Sequence, residues 1–300
     1  MEQLNDYMST KAAAALWQIS QRRVLALCAG GRIPGAVRFE NRWFIPKEVA
    51  KPQDGRSKRP VQPGATSVRP FVKWAGGKSQ LLTPIRQSYP LGLGSSITKY
   101  AEPFVGGGAI LWDILSRYHL SAVYISDING ELTNAYRAIR DESEGLIQRL
   151  SVMEQAYLPL DETGRKAYYY QTRQSFNQLQ LSGESKKGLD GAAYFIFLNR
   201  TCFNGLYRVN RKGLFNVPMG AYAKPLICDE ANLRRLSQLL QPVEIVCGDY
   251  QKATTFIDGQ TFVYFDPPYR PLNATSGFTS YSENGFDDHA QIALAEFITA

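Results

Sequence analysis

The 300-residue sequence predicts an α/β protein built on a parallel sheet, with a small unit of helices and a hairpin before it. Residues 97–101 and 122–126 are predicted to be strands, and 261–265 is a run of apolar and β-favouring residues, typical of a parallel strand covered on both faces. Asp-Pro-Pro at 266–268 must end the last strand, because proline cannot donate to a sheet ladder. Since the second predicted strand ends at Asp127, two carboxylates are expected where open α/β sheets bind ligands.

Composition places the chain among ordinary globular proteins, with 44% hydrophobic and 20% charged residues. No apolar run approaches the ~18 residues of a membrane span and no signal-peptide pattern begins the chain, so we expect a cytoplasmic protein with no membrane partner. The four cysteines are far apart without a C-x-x-C pair, and there are only two histidines. The sequence therefore indicates no metal site, no disulfide framework and no histidine-based triad.

The charge of the chain is positive and unevenly distributed. The formal net charge is +7, and residues 1–60 carry 11 Lys and Arg against 5 Asp and Glu. Basic residues clustered on a compact unit indicate a polyanionic partner, and we expect that partner to be nucleic acid.

The first 52 residues are expected to form the small N-terminal unit. Serine or threonine precedes each of two helical stretches, and glycines follow the second stretch, as in capped helices. Two short β-favouring runs separated by Glu40-Asn41 then predict a hairpin. The predicted elements are helices over 11–17 and 21–29, and hairpin strands over 36–39 and 42–45.

Two helices followed by a hairpin predict a winged helix-turn-helix over residues 1–52, and the segment resembles the excisionase/MerR-like DNA-binding family. Its second helix would be the recognition helix, with Gln21, Arg22 and Arg23 at the N-terminal end, where base and phosphate contacts are usually made. Arg38 and Arg42 would lie on the wing. A protein-interaction module of the same shape is the alternative interpretation.

Residues 53–68 are polar, rich in proline and glycine, and without periodicity, so we expect a linker. Shortly after it, Gly77-Lys78-Ser79 suggests a phosphate-binding P-loop. That motif requires a glycine where Val72 stands, so the P-loop interpretation is rejected.

A glycine turn follows the first predicted strand of the sheet. Gly106, Gly107 and Gly108 lie between this strand and an amphipathic helix, an arrangement in which glycines let the backbone approach a ligand. Asp127 comes 21 residues after Gly106, where an acidic residue can accept hydrogen bonds from ribose hydroxyls. The spacing indicates a nucleotide-type cofactor, and a nicotinamide-dependent dehydrogenase would share both features.

Residues 197–220 form a basic loop that contains several glycines. Arg200, Arg208, Arg211 and Lys212 alternate there with asparagine and aromatic residues. Such a loop offers phosphate contacts, donors for base edges and a ring that can wedge between bases. A basic surface hairpin is the alternative interpretation.

Six ordered motifs resemble the Dam family, the α-group DNA adenine N6-methyltransferases, over residues 69–300. The resemblance implies double-stranded DNA as substrate, S-adenosyl-L-methionine (AdoMet) as methyl donor and GATC as target. The motifs are Lys-Trp-Ala-Gly-Gly-Lys at 73–78, Glu-Pro-Phe-Val-Gly-Gly-Gly at 102–108, Ser-Asp-Ile-Asn at 126–129, Asn-Arg and Phe-Asn-Gly-Leu within 199–206, Gly-Asp-Tyr at 248–250 and Asp-Pro-Pro-Tyr at 266–269.

The same resemblance implies a Rossmann-like methyltransferase sheet formed by 69–145 and 240–300, with 146–239 as an inserted helical and hairpin target-recognition domain. It also implies further strands after the position of Ala300. The implied cofactor-binding residues are Trp74, Lys78, Pro103, Phe104, Gly106, Gly108, Asp127, Asp249, Tyr250 and Asp266. The implied DNA-binding residues of this part are Lys73, Arg200, Phe203, Asn204, Leu206, Arg208, Asn210, Arg211 and Pro218.

By resemblance, the catalytic cup consists of Asp266, Pro267, Pro268 and Tyr269. An adenine inside a duplex must be flipped out to reach a buried methyl donor. Tyr269 would stack on it, while the Asp266 carboxylate and the Pro267 carbonyl would accept the two N6 hydrogens. Positioning and electrostatics would then support an in-line displacement without a covalent nucleophile.

Two other functions remain open on the sequence. N4-cytosine methylation uses the same fold, typically with serine at the position of Asp266. A catalytically idle DNA-binding regulator would use the N-terminal unit and retain a defective methylase domain. In the enzyme, that unit would add a second DNA contact, for promoter autoregulation or for holding the enzyme near particular sites. We expect a monomer on DNA, and a cognate restriction enzyme is a further partner that the sequence leaves open.

Overall fold

The computed structural model divides the chain into two units, Met1–Thr66 and Ser67–Ala300. The boundary falls within the predicted linker, which lies outside the described residues apart from Val68. The Glu40-Asn41 turn of the predicted hairpin also lies outside them. The described residues are 6–39, 42–52, 68–269 and 286–299.

The N-terminal unit contains two short helices and a three-stranded antiparallel sheet. Its elements are β1 Tyr7–Ser9, α1 Thr10–Trp17, α2 Gln21–Ala29, β2 Val37–Phe39 and β3 Arg42–Pro46, with the strands in the order β1-β3-β2. The Ser9 hydroxyl accepts a hydrogen bond from Ala12 N and the Ser20 hydroxyl accepts one from Arg23 N, so each serine caps a helix. Both predicted helices and both hairpin strands are confirmed, whereas the three-residue strand β1 was not predicted.

The larger unit is built on a parallel sheet surrounded by helices. Its strands are β4 Lys99–Glu102, β5 Ala122–Asp127, β6 Val243–Cys247 and β7 Thr261–Val263. Its helices are α3 Leu82–Arg86, α4 Ala109–Leu115, α5 Gly130–Asp141, α6 Ser143–Tyr157, α7 Glu162–Ser182, α8 Gly188–Thr201, α9 Glu230–Leu240 and α10 Asp288–Thr299. The strand order is β6-β5-β4-β7 and every neighbouring pair is parallel, which confirms the predicted sheet class.

The strand before the Asp-Pro-Pro sequence is shorter and less buried than predicted. It ends at Val263, and one further ladder bond follows, from Tyr264 N to Ala101 O (2.9 Å). All three residues of β7 are half-buried. The prediction of a buried five-residue strand is therefore wrong, because among the described strands β7 pairs only with β4 and forms an edge of the sheet.

One hydrophobic core joins the sheet to the helices that follow it. The core includes Tyr136 on α5 and Phe197 on α8, together with residues of β4, β5 and β6. Tyr169 and Phe176 on α7 are fully buried in it. Segment 146–239 therefore shares its buried surface with the sheet, and its division from the rest as a separate domain stays a prediction.

Candidate active site

A cleft of about 1030 Å³ opens at the carboxyl edge of the sheet. Each strand contributes to its lining where it ends, through Glu102 (β4), Asp127 (β5), Gly248 (β6) and Asp266 (β7). This position and volume suit a ligand of cofactor size. The cleft brings together all residues predicted for cofactor binding and catalysis, namely Trp74, Lys78, Pro103, Phe104, Gly106, Gly108, Asp127, Asp249, Tyr250, Asp266, Pro267, Pro268 and Tyr269.

The glycine turn after β4 brings the backbone close to an indole ring. Gly106 and Gly108 have φ values of 48° and 69°, in the left-handed region that favours glycine. A Cβ atom at Gly106 would lie 2.7 Å from Trp74 Cδ1, and one at Gly108 would lie 2.5 Å from the Tyr136 hydroxyl oxygen. Both conformation and packing therefore require these glycines.

The Asp127 carboxylate is held by the backbone. Its Oδ2 accepts a hydrogen bond from Gly106 N (3.0 Å) and its Oδ1 accepts one from Asn129 N (2.9 Å). Burial raises the pKa of Asp127 to about 6, and the two N–H groups limit the rise because they stabilise the charged form. A carboxylate has about four lone-pair positions, so this one can still accept hydrogen bonds from a ligand.

The Asp266 carboxylate is held by side chains. Lys78 Nζ donates to Oδ1 (2.7 Å) and to Oδ2, and the Tyr269 hydroxyl donates to Oδ1 (2.8 Å). Lys78 Nζ also donates to Gly76 O (2.8 Å). Burial disfavours the charged form of Lys78, but its hydrogen bonds with Asp266 and Tyr269 outweigh burial and raise its pKa. Lys78 therefore stays protonated and places a positive charge beside the Asp-Pro-Pro-Tyr motif.

Glu102 is a cleft residue that the sequence analysis missed. Its side chain is buried and its Oε2 accepts a hydrogen bond from the Tyr100 hydroxyl (2.7 Å). Burial raises the pKa of Glu102 to about 8, the bond from Tyr100 opposes the rise, and the negative charge of Asp266 adds to it. Glu102 precedes Pro103 in the glycine-turn motif, and this position is the signal that could have identified it.

Aromatic rings form two walls of the cleft. Trp74 stacks on Tyr207 with ring centres 5.8 Å apart, and Phe104 stacks on Tyr250 at 5.7 Å. Tyr207 is buried and was also missed, because in sequence it is one of several aromatic residues in the basic loop. The two stacked pairs give the cleft flat apolar surfaces.

Most of the predicted DNA-binding residues of the basic loop lie outside the cleft. Arg208 Nε donates to Asn216 Oδ1 (2.8 Å). Asn210 Oδ1 accepts from Lys212 N (2.9 Å) and Leu214 N (3.2 Å), which closes a local turn. The exposed members of the predicted set are Phe203, Asn204, Leu206, Asn210, Arg211 and Pro218.

Lys73 and Arg200 do line the cleft. Arg200 lies in the last turn of α8, where its Nη2 donates to Pro70 O (3.4 Å). Burial lowers the pKa of Arg200, and its Nε has no partner among the described residues. The structure therefore separates Arg200, a cleft-lining residue, from the exposed arginine of the loop, Arg211.

Asn199 ties the basic loop to the cleft wall. Its Oδ1 accepts from Lys73 N (2.8 Å), while its Nδ2 donates to Lys73 O (2.8 Å) and Gly205 O (3.0 Å). Gly205 has a φ of 64°, and a Cβ atom there would lie 2.4 Å from Lys73 Cδ. These hydrogen bonds therefore fix the segment that carries Trp74 next to the turn that follows Phe203. Asn199 belongs to the Asn-Arg motif of the sequence, but no role was predicted for it.

The four remaining predicted residues belong to the N-terminal unit. Arg22 and Arg23 lie in the first turn of α2, Arg38 lies on β2, and Arg42 begins β3. Arg22, Arg38 and Arg42 are exposed, and Arg23 is half-buried. The second helix and the hairpin of this unit therefore both carry basic side chains.

Several other kinds of site find no support in the part of the chain that the structure describes. No group of His, Cys, Asp and Glu in these residues could hold a metal ion. All four cysteines are free. No described helix is both long and apolar enough to cross a membrane.

Taken together, the parallel sheet, the glycine turn and the carboxylates at the strand ends define an α/β enzyme with a nucleotide-type cofactor site. Comparison with known proteins gives the family. A profile described as D12 class N6 adenine-specific DNA methyltransferase matches residues 74–300. The chain therefore belongs to the D12 class of N6 adenine-specific DNA methyltransferases, which leaves N4-cytosine methylation without support.

Individual relatives agree with this family. The chain is 49% identical over 231 residues to the Type II methyltransferase M.MjaIII of Methanocaldococcus jannaschii, covering 77% of this chain and 79% of that protein. It is 37% identical over 238 residues to the Type II methyltransferase M1.LlaDCHI of Lactococcus lactis subsp. cremoris, covering 79% and 78%. It is 37% identical over 229 residues to the DNA adenine methylase of Escherichia coli strain K12, covering 76% and 74%.

Proposed function

We propose that this adenine-specific methyltransferase binds AdoMet in the cleft and methylates the N6 amino group of an adenine flipped out of GATC in double-stranded DNA. The observation that carries the proposal is the presence of two differently held carboxylates, Asp127 and Asp266, in one cleft. The choice of GATC rests on the six motifs shared with the Dam family.

The cleft residues fit AdoMet. When bound, AdoMet supplies a methyl group activated by its sulfonium. Asp127 has lone pairs left for ribose hydroxyls, and Asp249 and Tyr250 would border the adenine ring beside Phe104. Trp74 would line the same cleft next to the glycine turn. The volume of about 1030 Å³ leaves room for a flipped base as well as the cofactor.

Asp266, Pro267 and Tyr269 would prepare the flipped adenine. The Tyr269 side chain is 65% exposed, so its ring is accessible for stacking. The Asp266 carboxylate and the Pro267 carbonyl would accept the two N6 hydrogens, which increases electron density on N6. Three donor contacts already reach the Asp266 oxygens, so a bound adenine must take the remaining lone pair or replace Lys78 or Tyr269.

The basic loop would bind and read the target DNA. Phe203 is 51% exposed and Leu206 37% exposed, and exposed apolar side chains on a basic loop suit insertion between base pairs. Arg208 and Pro218 would contact target bases together with Leu206, while Lys73, Arg200, Asn204, Asn210 and Arg211 would complete the DNA contacts. Segment 146–239 would thus act as the target-recognition domain.

The N-terminal unit would be a second DNA-binding domain, of the winged helix-turn-helix type. Its described residues include eight Lys and Arg but only two Asp and Glu. Arg22 and Arg23 at the start of α2 would contact the major groove, and Arg38 and Arg42 would lie on the wing. The profile match begins at Trp74, so this unit lies outside the part that defines the family.

The decisive experiment measures transfer of labelled methyl from AdoMet to duplexes that differ only in GATC or GTTC. We expect label on GATC alone for the wild type and none above background for Asp266→Ala. Asp190→Ala is the matched control, because the Asp190 side chain is 65% exposed on α8 and does not line the cleft.

Each result has a separate meaning. Equal labelling of both duplexes would overturn GATC as the target while retaining adenine methylation. Absence of label from every duplex, with AdoMet and DNA still bound in calorimetry, would overturn catalysis by this chain and favour the idle regulator. Full activity of Asp266→Ala would remove Asp266 from the catalytic cup.

A further inference from the structure

Helix α2 of the N-terminal unit buries one side, and its exposed side is apolar after the first turn. Its buried side consists of Val24, Leu27 and Cys28, which pack into the small core. Its exposed side begins with Gln21 and Arg22 and continues with Leu25, Ala26 and Ala29. Because the solvated face of a helix is normally polar, this face has the composition of a surface that a partner covers.

The charge of the unit favours DNA as that partner. Asp6 and Glu48 are the two acidic residues among the described part of the unit, and neither lies on α2. Arg22 is exposed in the first turn of α2, and the described residues of the unit carry eight Lys and Arg against these two acidic residues. A protein covering an apolar face would gain little from this excess charge, whereas the phosphates beside a DNA major groove are neutralised by it.

Gln21 is held in place before any DNA binds. Its Nε2 donates to Thr10 Oγ1 (3.0 Å), and Thr10 is only 8% exposed. The bond leaves Oε1 and the second N–H of the amide, which are the two groups that glutamine uses for adenine N6 and N7 in the major groove. A side chain fixed in this way loses less entropy when it binds.

The rest of the face suits thymine. Leu25, Ala26 and Ala29 offer only apolar groups, and such side chains contact the C5-methyl group that thymine places in the major groove. They could not pair with the cytosine amino group or the guanine O6, so a G·C pair in the same position would lose its hydrogen bonds to water without replacement.

We infer that α2 reads A·T base pairs in the major groove, with Gln21 binding adenine and Leu25, Ala26 and Ala29 contacting thymine methyl groups. The sequence read in this way is separate from the methylation target. The inference rests on the proposed DNA binding by the N-terminal unit and adds its specificity.

The test starts with the full-length protein and random duplexes that lack GATC. Bound duplexes are sequenced, and we expect enrichment of a sequence containing A·T pairs. The enriched duplex is then remade with deoxyuridine in place of thymidine, which removes only the C5-methyl groups. Affinity should fall about fourfold for each contacted methyl. Gln21→Ala should weaken binding to the enriched duplex roughly tenfold and remove the preference for adenine at the one position that Gln21 contacts.

Two variants provide matched controls. Leu25→Ser should reduce the difference in affinity between thymidine and deoxyuridine duplexes by about fourfold, the share of one methyl contact. Leu16→Ser, which changes an equally apolar exposed residue of α1, should leave that difference unchanged. Arg22→Ala should weaken binding to all sequences alike and reduce its salt dependence. Thermal unfolding establishes that the N-terminal unit of each variant is folded, and AdoMet binding establishes that the larger unit is unaffected.

The outcomes separate this inference from the function on which it rests. Equal affinity for thymidine and deoxyuridine duplexes, with Arg22→Ala still weakening binding, would overturn A·T reading and leave DNA binding by the N-terminal unit intact. If Arg22→Ala, Gln21→Ala and Leu25→Ser all bind DNA like the wild type, the proposed DNA binding of this unit fails as well.

Discussion

Asp127 and Asp266 are two aspartates of one cleft, but the protein holds them in different ways. The oxygens of Asp127 accept hydrogen bonds from the backbone N–H groups of Gly106 and Asn129, which cannot leave without rearranging the turn. The oxygens of Asp266 accept from Lys78 and Tyr269, whose side chains can rotate away. The Asp127 side of the cleft, the proposed cofactor half, is therefore fixed by the fold. On the Asp266 side, the proposed catalytic half, the carboxylate can exchange its partners.

The largest expected effect on activity comes from replacing Asp266 in the proposed catalytic half of the cleft. Asp266→Asn should lower the rate of methyl transfer about 10³-fold, because the amide accepts the N6 hydrogens poorly and no longer balances Lys78. The melting temperature should fall as well, because Lys78, whose side chain is only 11% exposed, loses its paired carboxylate. Single-turnover kinetics measure the rate of methyl transfer, and calorimetry measures the affinity for AdoMet separately. A loss of AdoMet affinity as large as the loss of rate would contradict this assignment.

The same substitution in the cofactor half should act mainly on folding and cofactor affinity. Asp127→Asn places an amide N–H₂ against one of two backbone N–H groups and leaves a buried donor unpaired. The free energy of unfolding should fall by about 1–3 kcal/mol, and AdoMet should bind at least about tenfold more weakly. Urea unfolding of both Asn variants gives the comparison directly. Equal stability of Asp127→Asn and the wild type would show that backbone anchoring contributes nothing.

Glu102 is a third carboxyl group in the cleft. Unlike the effects predicted for Asp127 and Asp266, its effect on stability is expected to depend on pH. Its pKa is raised to about 8 by burial, above the ordinary 4.5 of the unfolded chain. The stability that it contributes is therefore complete below pH 4.5 and is lost as pH rises through 8. Between pH 7 and 8 the free energy of unfolding of the wild type should fall by about 1 kcal/mol, whereas that of Glu102→Gln should not show this fall.

Thermal unfolding as a function of pH measures this difference. Glu244→Gln is the control, since Glu244 is an exposed glutamate on β6. Parallel pH profiles for the wild type and Glu102→Gln would rule out Glu102 as the titrating group.

The smallest effect is expected from Tyr269→Phe, which tests whether Asp266 needs its hydrogen bond from Tyr269. Tyr269→Phe keeps the ring for stacking and removes only the hydroxyl that donates to Asp266. Methyl transfer should fall about two- to fivefold, because Lys78 still holds the carboxylate. Tyr269→Ala, which removes the ring, should cost considerably more. If the Phe and Ala variants are equally impaired, the hydroxyl and not the ring is the important part of Tyr269.

Sequence reasoning predicted the features that depend on neighbouring residues. The parallel sheet, the glycine turn and the position of Asp127 at the end of β5 all follow from local patterns, and the structure contains them. The capped helices α1 and α2 follow in the same way from Ser9 and Ser20. Periodicity, proline and capping residues act over a few positions, so they are visible in one sequence.

Contacts between distant residues could not be predicted. Lys78 and Asp266 are separated by 188 positions, and nothing in either motif states that the two groups meet. The role of Asn199 depends on two backbone segments, one of them 126 positions away, and its neighbours give no periodic signal. The burial of β7 was also misjudged, because the apolar run shows that a strand forms but not whether strands cover both of its edges.

The shared core has a consequence for protein engineering. Because Phe197 and Tyr169 are buried in the same core as the sheet, the segment 146–239 cannot be exchanged between relatives as an independent cassette. A chimera would leave cavities or clashes against α5 wherever the donor side chains differ in volume. If the basic loop reads the target as proposed, changes of target sequence are better sought in exposed residues such as Phe203, Leu206 and Arg211, which can be diversified without repacking the interior.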